Sequence, residues 1–149
     1  MAVKLKKFRI FKPVLSLFFT CAVLLLSASC CFADFYWDEP FDDYKQNPIQ
    51  AENKWVGMRL NFNNDIAEVR SIGKNIWGQP YIGIKNANGR TKTDYTFYFS
   101  DTGPYPRQLL EAREGQRIKI SGVVDKLNFD RLFGIESLTV VLGRVEFLD

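Results

Sequence analysis

Histidine is missing from this 149-residue sequence, and its three cysteines all lie within the first 31 residues. The 116 residues after Ala33 therefore have neither an imidazole nor a thiol. These groups most often bind zinc in proteins, and they act as base or nucleophile in Ser/His/Asp and Cys/His hydrolases. We exclude those enzyme classes and predict no metal site, no cofactor and, beyond residue 33, no disulfide.

Acidic side chains are missing from residues 1–33, which contain five of the 20 Lys and Arg residues. The rest of the chain has 15 basic and 17 acidic side chains, so its net charge is −2, whereas the whole chain has +3. The positive charge of the chain thus belongs to its N-terminal segment. It gives no reason to expect nucleic acid as a partner of the remainder.

Residues 1–33 have the composition of a secretory signal peptide. A cationic stretch, Met1–Lys12, precedes an apolar run, Val14–Leu26, and small residues follow. The apolar run has about 13 residues, whereas a transmembrane helix needs about 20. We predict that the protein is exported, to the periplasm or into the medium.

Two processing sites compete at the end of the signal peptide. Cys31 and Ala33 provide small residues at the −3 and −1 positions for cleavage before Asp34. Alternatively, residues 26–30 resemble a lipoprotein signal in which Cys30 is acylated, although Ser27 stands where such signals usually have Leu. A third alternative is an uncleaved anchor. We expect contact with a membrane only if Cys30 is lipidated or the leader is retained.

Residues 34–46 are acidic and aromatic, with five carboxylates before Tyr44 and no base among them. The spacing of the acids is not that of an EF-hand loop, and the glycine of that loop is missing. We predict a solvated, poorly ordered spacer with some of its aromatic residues resting on the domain; the alternative is an arm that binds a metal or a partner. The folded domain is predicted to span residues 47–149.

Hydrophobic periodicity predicts a small, mainly β domain after a short helix. Asn47 and Pro48 are a suitable N-cap and first residue for a helix that ends near Trp55, a predicted core anchor. Apolar residues then alternate in five segments: 56–72 with a bend at 63–65, 80–85, 91–100, 116–125 and 135–148. A helix is predicted at 106–114, between the third and fourth strands. This order is that of a five-stranded Greek-key barrel, the OB-fold, and we expect a monomer.

Two loops connect the predicted strands. Asn88-Gly89 is the strongest hairpin signal in the chain, and we predict a two-residue type I′ turn with positive φ at Gly89. Valine at position 89 is then expected to strain the turn. Residues 127–134 are predicted to form a loop between the last two strands.

Several segments resemble the tRNA-anticodon-binding-like OB-fold family, a group of small exported bacterial proteins. The resemblance extends over about residues 47–148 and is clearest in 54–57, 71–82 and 114–125. Through residues 122–126 the chain also resembles, less closely, the periplasmic bacterial OB-fold proteins linked to stress tolerance. The resemblance implies a nucleic-acid-binding ancestry for the fold, and no catalytic residue can be transferred from either group.

The candidate ligand site lies on the predicted second and third strands, the usual binding face of OB-folds. The strand pattern places Ile82, Ile84, Phe97 and Phe99 inside the barrel. It leaves Tyr81, Lys85 and Tyr98 outside, near Trp77 and Lys92, as a platform for stacking a ligand. In the alternative interpretation these are ordinary strand residues, and Trp77 folds over an open end of the barrel.

Three functions of different classes remain open. The first is an envelope binding module of unknown ligand without catalytic activity; the second is an interaction protein that docks to another envelope protein by a sheet edge or by the acidic segment. The third is a calcium-dependent phosphodiesterase, for which Asp65, Glu68 and Arg70 are the only close cluster of the required type. Because Glu68 and Arg70 lie on one strand face, they are equally suited to a surface ion pair. We expect that the protein is not an enzyme.

Overall fold

The computed structural model of the protein describes residues 36–102 and 104–149. The predicted signal peptide at 1–33, with Cys30, lies outside these ranges, as do the first two residues of the predicted spacer. No helix within the described ranges is long and apolar enough to cross a membrane.

The described residues form a mainly β domain, as predicted. Its elements in chain order are α1 (Glu39–Gln46), α2 (Pro48–Trp55), β1 (Arg59–Phe62), β2 (Ala67–Lys74), β3 (Pro80–Asn86), β4 (Thr93–Tyr98), α3 (Arg107–Glu111), β5 (Ile120–Leu132) and β6 (Ile135–Phe147). The segment predicted as one bent strand is therefore divided into β1 and β2. The helix predicted at 106–114 is shorter than expected, and it connects β4 to β5.

The strands form one mixed sheet in the order β1-β5-β6-β4-β3-β2, curled into a half-barrel. The β4–β6 pair is parallel and the other pairs are antiparallel. The sheet's two edge strands, β1 and β2, follow each other in the chain. Residues 115–118, just before β5, hydrogen bond with β2: the Val69 amide donates to Gln116 O at 2.9 Å, and the Gly115 amide donates to Val69 O at 2.8 Å. These bonds join the edge strand β2 to the chain that leads into β5, the neighbour of the other edge strand.

The inward face of the sheet agrees with the alternation read from the sequence. Ile82, Ile84, Phe97 and Phe99 are all buried. Helix α2 begins as predicted, because the Asn47 side chain accepts a hydrogen bond from the Gln50 amide at 3.2 Å. Its residue Trp55 is buried in the core. The pattern therefore identified the core residues of α2, β3 and β4 correctly, whereas Leu127, predicted to lie in a loop, is also buried.

The prediction of a solvated spacer at 34–46 is wrong for the described part of that segment. Trp37 and Phe41 are only 5% and 4% exposed, and α1 begins at Glu39. The Trp37 indole nitrogen donates a hydrogen bond to Thr93 O at 2.9 Å, and the Tyr95 hydroxyl donates to Trp37 O at 2.7 Å. The segment is thus part of the hydrophobic core.

The acidic residues of this segment have structural partners. The Asp38 carboxylate accepts hydrogen bonds from the backbone amides of Lys92 and Thr93, both at 2.9 Å. Lys54 on α2 bridges Glu39 at 2.7 Å and Asp43 at 2.8 Å. The carboxylates therefore hold α1 against β4 and α2.

The predicted two-residue turn at Asn88-Gly89 is also wrong. Residues 87–92 connect β3 to β4, and the Asn86 side chain organises this longer loop by accepting a hydrogen bond from the Asn88 amide at 2.8 Å. The two-residue turn lies instead between β5 and β6, within the segment predicted as a loop. There Phe133 and Gly134 have φ values of 50° and 82°, the positive pair that a type I′ turn requires.

We predict that Gly134→Val destabilises the domain by about 1–3 kcal/mol, because a β-branched residue is strained at positive φ. Gly89 is the matched control: its φ is not in the left-handed region, and no atom lies within 4 Å of the position that a Cβ would occupy. Chemical denaturation of both variants checks this prediction. Equal midpoints for Gly134→Val and Gly89→Val would place the constrained turn elsewhere.

Trp37→Ala is predicted to lower the free energy of unfolding by about 3–5 kcal/mol, because it leaves a cavity in the core. Trp77→Ala removes the same side chain from a position that is 80% exposed, and we expect a change of at most about 0.5 kcal/mol. The melting temperatures of the two variants provide the comparison. A small loss for Trp37→Ala would contradict the assignment of this segment to the core.

Candidate functional site

The structure brings Tyr81 and Tyr98 together on the outer face of the sheet. They are cross-strand partners on β3 and β4, and their ring centroids are 5.8 Å apart at an interplanar angle of 50°. The Tyr81 ring also covers Gly73 of β2, where a Cβ would lie 3.1 Å from the tyrosine hydroxyl. Both tyrosines are half-buried and leave part of each ring accessible. This pair is the part of the predicted platform that the fold assembles.

The two predicted lysines do not join the tyrosine pair. Lys85 forms an ion pair of 2.8 Å with Glu68 across the β2–β3 ladder, and the hydrogen bond from Lys85 lowers the pKa of the Glu68 carboxyl below its usual value. Lys92 precedes β4, and its ammonium lies 5.0 Å from the centre of the Phe41 ring. It is therefore at the opposite end of β4 from Tyr98.

Trp77 lies in the turn between β2 and β3. The Asn75 side chain fixes this turn by accepting hydrogen bonds from the Trp77 and Gln79 amides, both at 3.0 Å. The indole itself points into solvent, with 80% of the residue exposed. The interpretation that Trp77 covers an end of the barrel is therefore wrong.

The acidic cluster considered for phosphodiester chemistry is divided among separate partners. Glu68 pairs with Lys85, and Arg70 pairs with Asp94 at 2.5 Å. Within residues 36–102 and 104–149, no three Asp, Glu, Cys or His side chains form a group that could hold a metal ion. The fold thus gives this cluster no calcium-binding geometry.

A groove of about 560 Å³ opens beside Tyr98, where β4 ends. Its walls are the end of β4, the segment that leads to α3, and the middle of the β5–β6 pair. Prominent lining side chains are Gln79, Tyr98, Ser100, Tyr105, Asp125 and Arg144. Sequence patterns did not identify this groove, and Tyr98 is its only member among the predicted site residues.

Two β-bulges place opposite charges in the groove. Val124 pairs with Leu142 and Lys126 pairs with Val141, so Asp125 has no partner on β6. In the second bulge, a few residues away, the extra residue lies on β6. Between the Val123–Gly143 pair and the Ser121–Glu146 pair, β5 has one residue, whereas β6 has two, Arg144 and Val145. Bulges redirect side chains in this manner beside binding sites.

The side chains of Asp125 and Arg144 are both exposed at the groove. Within the described residues, neither side chain has a hydrogen bond or an ion pair to another residue. The Asp125 carboxylate lies directly over Gly143, where any Cβ would collide with it. Arg144 has a φ of 48°, in the left-handed region that favours glycine. The backbone is thus strained at the residue that provides the groove's positive charge.

The chain matches no model of a known protein family, and comparison with curated proteins also gives no match. The geometry of the groove is therefore the basis for assigning a function.

We predict that Arg144→Gly raises the free energy of unfolding by about 0.5–1 kcal/mol, because glycine accepts positive φ without steric strain. Lys126→Gly is the matched control, since Lys126 is an exposed residue on the neighbouring strand without a positive φ. This control is expected to lose about 0.5–1 kcal/mol, the usual effect of glycine within a strand. Urea denaturation measures both; a loss of stability in Arg144→Gly would contradict strain at this position.

Proposed function

We propose that the protein is an exported OB-fold binding module without catalytic activity, and that its ligand binds in the groove beside Tyr98. The observation behind this proposal is that Asp125 and Arg144, both bulge residues, extend into one groove without partners among the described residues. Charged side chains that a fold positions and leaves unpaired in a concave site are suited to binding a ligand.

Strand order supports the OB-fold. If β1 and β2 count as one strand bent at residues 63–66, the sheet order becomes 1-4-5-3-2-1, with strands three and five parallel. A helix, α3, follows the third strand. A five-stranded, partly open Greek-key barrel with this helix is the OB architecture. It agrees with the proposed relationship to the tRNA-anticodon-binding-like family.

The position of the groove also supports a binding role. OB-folds use the face of strands two and three and the adjoining loops, which correspond here to β3, β4 and the residues that follow them. The Tyr81–Tyr98 pair lies on that face, and the groove continues from Tyr98. The ligand is therefore proposed to contact this face and the groove together.

Export is proposed from the leader at residues 1–33, which gives a location in the periplasm or outside the cell. Lipidation at Cys30 is the alternative and would hold the protein at a membrane. Nucleic acid is not the proposed ligand, because the groove lining contains one acidic and one basic residue and no cluster of cations.

A second candidate function is docking to another envelope protein through the tip of the β5–β6 hairpin. Three apolar residues are exposed there: Leu132 at 67%, Phe133 at 96% and Ile135 at 73%. Phe133 occupies a turn position that normally favours Asn or Gly. We favour this tip over the acidic segment as the docking surface, because α1 contributes its aromatic residues to the core.

One capture experiment separates the two candidates. The full chain, expressed with its leader and immobilised, is incubated with envelope extract, and retained small molecules, glycans and proteins are identified by mass spectrometry. The groove variant combines Asp125→Asn with Arg144→Gly; the tip variant is Phe133→Asn, which keeps a residue suited to the turn. Both are expected to fold.

We expect a ligand that the wild type and the tip variant retain and the groove variant loses. Identical retention by all three proteins would contradict ligand binding in the groove. A protein retained by the groove variant and lost from Phe133→Asn would establish the second candidate in its place.

A further inference from the structure

We infer that the groove binds a glycan, a neutral chain of pyranose rings whose hydroxyls are held by Asp125 and Arg144 and whose C–H faces pack on Tyr98 and Tyr105. This inference rests on the proposed binding function and names the class of its ligand.

The charges of the groove favour a neutral, polyhydroxylated ligand. One carboxylate and one guanidinium line it, and they do not form an ion pair with each other. A polyanion therefore gains no net attraction. The carboxylate offers only acceptors and the guanidinium only donors, whereas a sugar hydroxyl both donates and accepts. The hydroxyls of a glycan can therefore bond to both side chains, and such charge-assisted bonds are the stronger kind.

The aromatic walls fit the other surface of a pyranose ring. Tyr98 is supported from one side by Tyr81 at 5.8 Å, and the Lys74 ammonium lies 5.8 Å from the centre of the Tyr105 ring. Both Tyr98 and Tyr105 are partly exposed to the groove. The face of an aromatic ring has a partial negative charge and attracts the weakly positive C–H groups of an aliphatic ring. Supported tyrosines can provide this contact with little loss of side-chain entropy.

The backbone places the two charged residues at the groove before any ligand binds. The absence of a Cβ at Gly143 leaves room for the Asp125 carboxylate, and the bulge backbone directs Arg144. Preorganisation of this kind reduces the entropy lost on binding. The groove volume of about 560 Å³ lies within the range of about 300–1,000 Å³ that is usual for small-ligand sites.

The test is an NMR titration of the ¹⁵N-labelled full chain, expressed with residues 1–33 in place. Four probes represent the ligand classes: the tetramer of N-acetylglucosamine, cellotetraose, the zwitterion dialanine and the anion tetrathymidylate. We expect saturable shifts of groove amides, such as those of Ser100 and Arg144, with at least one of the two glycans and with neither of the other probes.

Variants then test the assigned roles with the glycan that binds. Asp125→Asn and Arg144→Gly are each expected to raise its Kd about tenfold, as the loss of one charge-assisted hydrogen bond does. Asp130→Asn and Arg131→Ala make the matching charge changes on the exposed β5–β6 hairpin, outside the groove. These controls are expected to change Kd less than twofold.

Gly143→Ala tests the placement of Asp125 without removing its charge. A methyl group at this position would displace the carboxylate, so we expect a rise in Kd similar to that of Asp125→Asn while the protein remains folded. An unchanged Kd in Gly143→Ala would overturn the assigned role of the Asp125 position.

Other outcomes overturn the ligand class. Chemical-shift changes of groove amides with dialanine or tetrathymidylate, and none with the glycans, would refute a glycan as the ligand class. They would leave the proposed binding function intact. No groove shift with any probe would also refute a glycan, while the capture experiment decides the binding function separately. A glycan Kd that is unaffected by both Asp125→Asn and Arg144→Gly would place the binding site elsewhere.

Discussion

The hydrogen bond from the buried Tyr95 hydroxyl to Trp37 O joins residues 36–46 to the sheet. Burial, with smaller contributions from Asp38 and Glu39, raises the pKa of Tyr95 well above its ordinary value, so the hydroxyl remains a donor. The Trp37 ring meets Tyr95 edge-on at 5.0 Å and Phe62 at 5.5 Å. Such contacts add about 0.5–1.5 kcal/mol to the effect of burial. The core between α1, β1 and β4 therefore depends on this segment.

The two ends of β4 have different roles. Trp37 packs where β4 begins, at Thr93, and the groove lies where β4 ends, beside Tyr98. Bulges in β5 and β6 then bring Asp125 and Arg144 to this second end. Trp37 thus stabilises the domain at the end of β4 that lies away from the proposed binding groove, and the buried core as a whole offsets the strain at Arg144.

Sequence periodicity predicted most of the strands and the inward residues of β3 and β4, because alternation reports directly which face is buried. It missed residues 127–132, which were predicted as a loop and form the second half of β5. It failed for residues 36–46, where the acidic composition obscured the spacing of Trp37 and Phe41, four residues apart. The preference of Asn-Gly for two-residue hairpin turns was misleading at Gly89, because the Asn86 side chain stabilises a longer loop. The groove was not predictable, since a bulge is defined by the register of two strands, and register depends on tertiary packing.

Native-state hydrogen exchange of the full chain tests most directly whether the segment around Trp37 is an integral part of the folded domain. The amides of Lys92 and Thr93 are bonded to the Asp38 carboxylate. If the segment unfolds only with the domain, these amides exchange as slowly as those of the central strands, through global unfolding. Exchange at the rate of an exposed loop amide such as that of Arg90 would mean that the segment detaches by itself, which contradicts the account.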